Sequence, residues 1–496
     1  MSTALTDATP AAAVSDRWEA VIGLEVHAQL LTRSKMFCGC PAEYIDREPN
    51  TNVCPVCLGL PGTLPVINRE AVEMTVRTAL ALGCEIPEHS KFDRKNYFYP
   101  DLPKGYQISQ YDMPLSVNGR LRLHVGDREV LAGVTRVHLE EDTGTMRHQG
   151  DVLQHAASSL IDFNRSGVPL MEIVGEPDLR SADEAREYLV TVRRILMYIG
   201  VNDGNLEQGS FRCDANVSIR ERGSTGYGVK VEIKNMNSFR AVHRAVEYEI
   251  ARQAALIESG GVVVQETRGW VEARAATLSQ RSKEQAHDYR YFPEPDLPPL
   301  HLDREYVDRV LATLPELPSA RAERFAEQYG IPVYDALVLT DSREDADSYE
   351  ALVATGVSAK IAANWMMGDV QRMARETRTP LALSGLGVAG AGALLRLLEA
   401  GTISGTTAKE LLEELYLPGG DAQEVVRERG LGQISDEGEL VRLVDEAIDA
   451  NPKSVADYRG GKQQAIGALV GSVKKATQGK ADARRVTELL RERLDA

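Results

Sequence analysis

The sequence predicts an α+β protein: a mixed or antiparallel sheet domain, then an all-helical linker region, then a small helical tail. Three observations carry this expectation. Alternation of apolar and polar residues, the period of a half-buried strand, dominates residues 17–302. From about residue 303 the period becomes that of an amphipathic helix. Between the two patterns Pro293, Pro295, Pro298 and Pro299 interrupt the chain, and a Gly-rich break near 418–433 sets off a last unit at 434–496.

Taken in order, residues 1–16 carry small and polar residues without periodicity and read as a disordered tail. They lack the basic start and apolar stretch of a secretory signal. No apolar run approaches the ~18–20 residues of a membrane helix, so the expected compartment is the cytoplasm, with no membrane partner. The first strand, G-L-E-V-H-A-Q-L, places Glu25, His27 and Gln29 on one face and Leu24, Val26 and Leu30 on the other. Cys38, Cys40, Cys54 and Cys57 follow as two close pairs. In a reducing compartment such spacing favours a closed tetrahedral zinc site over disulfides. Cys84 and Cys213 lie in apolar settings and read as inert core thiols.

Helices are expected at 69–83, 181–199 and 238–258. Between them, one strand ends in Glu140, Glu141 and Asp142, and P-L-M-E-I-V carries Glu172. F-R-C-D-A-N-V-S-I-R and V-K-V-E-I-K, joined by a Gly-rich turn, read as a hairpin with Lys230, Glu232 and Lys234 on one face. Helical stretches follow at 303–313, 318–329, 342–354, 357–375, 388–400 and 406–415. The tail adds 436–450, 452–477 and 481–494. Gly385 to Gly390 matches G-x-G-x-x-G, but its flanks are helical where a dinucleotide site needs a preceding strand.

Net charge is −16, which argues against nucleic-acid binding by the whole surface. Residues 453–496, however, hold ten Lys/Arg against five Asp/Glu and offer one basic docking surface on an acidic body. His27 with Glu140, Glu141 and Glu172 at strand ends can converge on one hard cation, Mg²⁺ or Mn²⁺, with Glu25 beside it. R-K-N-Y-F-Y-P-D-L-P-K-G-Y-Q-I-S-Q combines Arg94, Lys95 and Lys104 with four aromatic rings, a mixture suited to phosphates and a stacked base. D-Y-R-Y-F-P-E-P-D-L repeats that chemistry. No Walker A loop and no nucleophile elbow occurs.

These words, with C-P-V-C-L-G-L-P-G, H-L-E-E-D-T-G, F-N-R-S-G-V-P-L-M-E-I-V, E-I-K-N-M-N-S-F-R and the tail word N-P-K-S-V-A-D-Y-R-G-G-K, resemble the B-subunit family of aspartyl/glutamyl-tRNA(Asn/Gln) amidotransferases. The resemblance spans most of residues 18–300. It implies a cradle-shaped catalytic domain that uses ATP to phosphorylate the side-chain carboxylate of Glu-tRNA(Gln) or Asp-tRNA(Asn), then amidates it with ammonia. It implies an amidase-type A subunit making ammonia from glutamine, a small C subunit, and mischarged tRNA(Gln) or tRNA(Asn) as partner, with the basic tail reaching the tRNA's outer corner. By the same resemblance His27, Glu140 or Glu141, and Glu172 hold the metal, Glu25 lies beside it, and Lys95 neutralises the transferring phosphoryl group. Lys230 and Lys234 complete the expected phosphate-binding set. Two other classes fit parts of the pattern: a metal-dependent nuclease on the acidic strand ends, and a zinc-stabilised RNA-binding scaffold.

Overall fold

The computed structural model describes residues 16–149, 158–282, 286–432, 437–477 and 480–495. The expected disordered tail, Asp16 apart, lies outside the described residues. The chain divides into two compact units, residues 1–317 and 318–496.

The first unit is α+β. Its strands are β1 (Trp18–Gln29), β2 (His89–Ser90), β3 (Asp93–Asn96), β4 (Tyr106–Ser109), β5 (Ser116–Val125), β6 (Arg128–Glu141), β7 (Thr145–Gln149), β8 (Ser158–Asp162), β9 (Pro169–Gly175), β10 (Phe211–Glu221), β11 (Val231–Lys234), β12 (Glu266–Val271), β13 (Ala276–Ser282), β14 (Phe292–Pro293) and β15 (Leu300–His301). Eight of them form one sheet in the order β13-β12-β11-β10-β1-β9-β6-β5. Every pairing in it is antiparallel except β11 with β12. The small sheets are β14-β3-β4, β15-β2 and β7-β8. The expected hairpin is β10–β11, with Asn216 opposite Glu232.

The alternation in β1 sets the layers. Ile22, Leu24, Val26 and Ala28 are fully buried on one face. Against that core pack α1 (Arg69–Ala81), α2 (Ala182–Tyr198) and α3 (Phe239–Glu258). Each begins where the sequence signals it. Asn68, Ser181 and Ser238 accept hydrogen bonds from the otherwise orphaned first-turn amides. α1 stops at Gly83, whose φ of +68° is the left-handed conformation that ends helices. The other face of the sheet stays polar and is walled by β14-β3-β4.

This unit continues past the expected boundary at 302, to Leu317. Helix α4 (Arg304–Leu311) places Val310 in the sheet domain's core, and Leu314 and Leu317 pack against it.

The second unit is helical: α5 (Pro318–Tyr329), α6 (Val333–Leu339), α7 (Arg343–Ala354), α8 (Ala359–Trp365), α9 (Gln371–Thr377), α10 (Gly387–Glu399), α11 (Gly405–Leu415), α12 (Ala422–Glu428), α13 (Glu437–Ala450), α14 (Pro452–Arg459), α15 (Ile466–Ala476) and α16 (Ala483–Asp495). Residues 322–426 share one core, with Phe325, Tyr329 and Tyr349 in edge-to-face and tilted contact. Residues 440–494 have a separate core.

Helices α6 and α12 are too short for the periodicity to reveal. The expected helix at 357–375 is interrupted by a π-helical turn, Met366–Val370. The expected helix at 452–477 breaks at Gly460 and Gly461, the latter with φ +95°. The G-x-G-x-x-G match opens α10: Leu386 donates its amide to the Tyr416 carbonyl (3.1 Å), a helix–helix turn with no strand before it.

Met171 lies at the middle of β9, paired on both sides and fully buried. Met171→Ala is expected to cost about 2–5 kcal/mol of stability, read from the denaturant midpoint of unfolding. An unshifted midpoint would place β9 outside the cooperative core.

Candidate active site

Strand register builds the site. His138 on β6 faces Glu172 on β9, Glu172 faces His27 on β1, and His27 faces Arg212 on β10. Residues paired across strands share a face, so these four form one row across the middle of the polar side. His138 Nε2 lies 3.2 Å from Glu172 Oε2, and His27 Nε2 lies 3.5 Å from the same oxygen. Glu140, two residues beyond His138, brings its Oε1 to 3.9 Å from His27 Nε2. The Ser109 hydroxyl donates to Glu140 Oε2 (3.0 Å). Arg136 Nε donates to His138 Nδ1 (3.4 Å), so it is Nε2–H of His138 that points at Glu172.

Burial works against charge throughout this row, and the neighbours overcome it. The Glu172 carboxyl is held well below the usual range by His138 and His27. Glu140 is lowered by its hydrogen bond with His138 and by Lys95. Both imidazoles are raised, chiefly by Glu172. One donor atom each from His27, Glu140 and Glu172 falls within a 4.8 Å cluster. Octahedral coordination at about 2.1 Å sets neighbouring ligand atoms about 3 Å apart, so small side-chain adjustments suffice for these three to fit a divalent ion. Two hard carboxylates with one imidazole suit Mg²⁺ or Mn²⁺.

Lys95 enters from β3 on the opposite wall. Its ammonium sits 4.9 Å from the Tyr289 ring centroid and 6.0 Å from that of Tyr97. Burial opposes its charge, but Glu140, Tyr291 and Glu172 raise its pKa above the ordinary lysine value. Among the described residues it makes no ion pair within 4.0 Å. Tyr291 stacks on Tyr111, with centroids 4.4 Å apart and planes 8° from parallel. The two aromatic loops therefore meet, because Phe292 of β14 pairs with Arg94 of β3.

A pocket of about 350 Å³ lies between these walls. Glu25, His27, Lys95, Glu172, Lys230 and Lys234 all line it. Glu25 sits one row along from His27, opposite Asp214, and accepts from Asn216 Nδ2 (2.8 Å). Lys234 is tied to Asp214 (2.6 Å) and Glu232 (3.6 Å), whereas Lys230 stands exposed at the rim. Next to this pocket a second cavity of about 330 Å³ shares Glu25 and Lys230 and is lined by Val21, Val174, Pro177 and Tyr227.

Three expectations need correction. Glu141 does not join the cluster. Alternation turns it to the other face of β6, where it pairs with Lys104 and accepts from the Ile108 amide (3.0 Å). Lys104 is consumed by that pair. Arg94 is consumed too: Glu294 binds it through two oxygens (2.6 and 2.9 Å) and Tyr106 stacks beneath it (4.2 Å). His138, Arg136, Asp214, Tyr289 and Tyr291 also line the pocket. Tyr289 and Tyr291 belong to the D-Y-R-Y-F-P loop already marked by its aromatic and charged residues, and His138 shares Glu140's face in H-L-E-E, whereas nothing in the sequence singled out Arg136.

The four cluster cysteines come together, with their sulfurs inside a 4.8 Å group. Zn–S bonds of about 2.3 Å require S···S separations of about 3.8 Å, and Cys54 and Cys57 are 3.8 Å apart. Cys57 is held down to about 5 by hydrogen bonding with Cys38, with help from the Lys35 ammonium 3.8 Å away; the same sharing pushes Cys38 up. A thiolate already favoured in a four-sulfur cage fits zinc. Cys84 and Cys213 are buried apart from it, as expected of core thiols.

Residues 20–308 match the GatB/GatE catalytic domain, and residues 347–494 match the GatB domain. Proteins named as the B subunit of aspartyl/glutamyl-tRNA(Asn/Gln) amidotransferase are similar over nearly full length. That of Carboxydothermus hydrogenoformans is 52% identical across 96% of this chain and 99% of its own. That of Moorella thermoacetica is 54% identical across 96% and 100%, and that of Thermomicrobium roseum 54% across 96% and 99%. The chain belongs to this amidotransferase B-subunit family. The resemblance read from the motifs is thereby established, and the charged row lies within the part matched as catalytic.

Two outcomes follow from this geometry. Cys54→Ser should lose the cage-held zinc equivalent, measured by elemental analysis, and destabilise the first unit by ~4 kcal/mol, the scale reached when a structural metal is lost. Full zinc content in that variant would remove Cys54 from the cage. The second concerns pH. Raised imidazoles lend stability that is complete below their ordinary value of 6.5 and lost as pH climbs through the raised values. Lowered carboxyls lend stability that is complete above their ordinary value of 4.5 and lost as pH falls through the depressed values. The metal-free cluster should therefore contribute most between those limits, and Mg²⁺ or Mn²⁺ should displace protons and bind more tightly as pH rises through the raised imidazole values. Calorimetry in buffers of different ionisation enthalpy counts the protons; a count of zero would exclude His27 as a ligand.

Proposed function

We propose that this chain activates and amidates the side-chain carboxylate of Glu-tRNA(Gln), Asp-tRNA(Asn) or both in the pocket on the polar face of the sheet. The carrying observation is the His138–Glu172–His27 row with Glu140, facing a half-buried Lys95 that makes no ion pair among the described residues. Such an arrangement stabilises a transferring phosphoryl group by position and charge and needs no covalent nucleophile.

In this reading ATP's terminal phosphates occupy the pocket between Lys95 and the carboxylate row. Its nucleoside extends into the adjoining cavity beside Val174 and Tyr227. His27, Glu140 and Glu172 would hold Mg²⁺ or Mn²⁺, which supplies charge neutralisation between phosphate oxygens. A carboxylate oxygen of the substrate attacks the γ-phosphorus, the bond to the β–γ bridging oxygen breaks, and ADP leaves. Lys95 offsets charge on the equatorial oxygens, held in place by Tyr97 and Tyr289. Ammonia then attacks the acyl carbon, the bond to phosphate breaks, and Glu25 accepts the proton released as the amide forms.

No helix among the described residues is long and apolar enough to cross a membrane, and we place the reaction in the cytoplasm. A glutaminase subunit of amidase type supplies the ammonia, with a small third subunit. The helical tail, residues 434–496, contacts the tRNA through its basic residues. The Cys38–Cys40–Cys54–Cys57 cage holds structural zinc.

Lys95→Ala should leave tRNA affinity within about twofold yet lower acyl-phosphate formation, trapped as the hydroxamate, by about 10²-fold or more. Undiminished ATP-dependent activation would remove Lys95 from the mechanism. The same incubation separates the nuclease reading, which requires tRNA cleavage by Mg²⁺ and protein without ATP.

A further inference from the structure

We propose that Glu88, His89 and His301 form a surface site for a borderline divalent transition metal of the zinc class, separate from both the thiolate cage and the carboxylate row. His89 and His301 are direct partners across the β2–β15 ribbon. Their rings stack with centroids 5.0 Å apart and planes 19° from parallel. One donor atom from each imidazole and one from Glu88 lie within 4.8 Å of one another.

The hydrogen bonding aims one ring at a cation. His301 Nδ1 lies 3.4 Å from the Glu88 backbone carbonyl, which can only accept, so the neutral ring carries its proton on Nδ1. Its Nε2 lone pair then faces Glu88 Oε1 at 3.6 Å. In that tautomer the Nε2 lone pair and the carboxylate oxygen are both acceptors, an arrangement that a metal ion satisfies. An imidazole whose second nitrogen is fixed by a backbone carbonyl is the usual orientation of a metal-bound histidine.

Two imidazoles and one carboxylate suit zinc or its neighbours in softness better than Mg²⁺ or Ca²⁺, and leave an open coordination position. All three side chains are exposed, so solvated ions reach them without opening the fold. The ribbon is only two residue pairs long and is continued by the Leu302 amide, which donates to Glu88 O (2.8 Å). It lies where the chain leaves the strands for α4, whose first turn is capped by Asp303. A bound ion would clamp this crossing.

The test uses the full-length chain, dialysed against micromolar Zn²⁺ and analysed for metal content, with histidine carbethoxylation mapped by mass spectrometry. Wild type should bind one zinc beyond the thiolate-held ion, and that zinc should protect His89 and His301 from modification. The His89→Ala/His301→Ala double variant should lose that equivalent alone, and Glu88→Gln should weaken it roughly tenfold. His27→Gln should retain it. Unchanged zinc content in the double variant, absence of protection, or loss of the extra ion in His27→Gln would each overturn the assignment.

Discussion

A buried carboxylate in the middle of a sheet is the constraint on which the rest of this structure turns. Glu172 sits on the interior strand β9 with strands on both sides, where an isolated charge would cost several kcal/mol. Only the in-register imidazoles of His138 and His27, backed by Lys95 from the facing wall, make its ionised form tenable. The register that delivers them is set on the opposite face, by the apolar residues of β1, β6 and β9 packed under α1 to α3. A slip of one residue would carry the charged row into that core.

The thiolate cage supports the same strand from below. Met36 donates its amide to Gly167 O (2.7 Å), Asn164 Oδ1 accepts from the Asn52 amide (2.8 Å), and the Ser166 hydroxyl donates to Cys57 O (3.3 Å). The cysteine loops thus grip residues 164–167, the turn leading directly into β9. A metal held there would act on the site by fixing how β9 enters the sheet.

The basic residues of the aromatic loop show how local charge is divided between structure and chemistry. Arg94 and Lys104 look equivalent to Lys95 along the sequence. Glu294 and Glu141 claim the first two, locking β14 to β3 and β4 to β6. Lys95, on the opposite face of β3 from Arg94, lines the pocket. Lys234 is likewise held by Asp214, whereas Lys230 stays exposed at the pocket rim.

The amino-acid order by itself determined which residues share a face, because strand and helix periods follow from backbone geometry. Glu25 with His27, the four thiols, the helix starts at Asn68, Ser181 and Ser238, and the charged side of the β10–β11 hairpin were all legible in that way. Long family words added the chemistry. Tertiary structure alone decided what stands opposite what. It chose Glu140 over Glu141, paired His138 with Glu172, brought residues 289–291 against Lys95, and kept α4 with the sheet domain. Those outcomes depend on contacts between segments far apart in the chain, whose register is fixed by core packing and so leaves no local trace in the sequence.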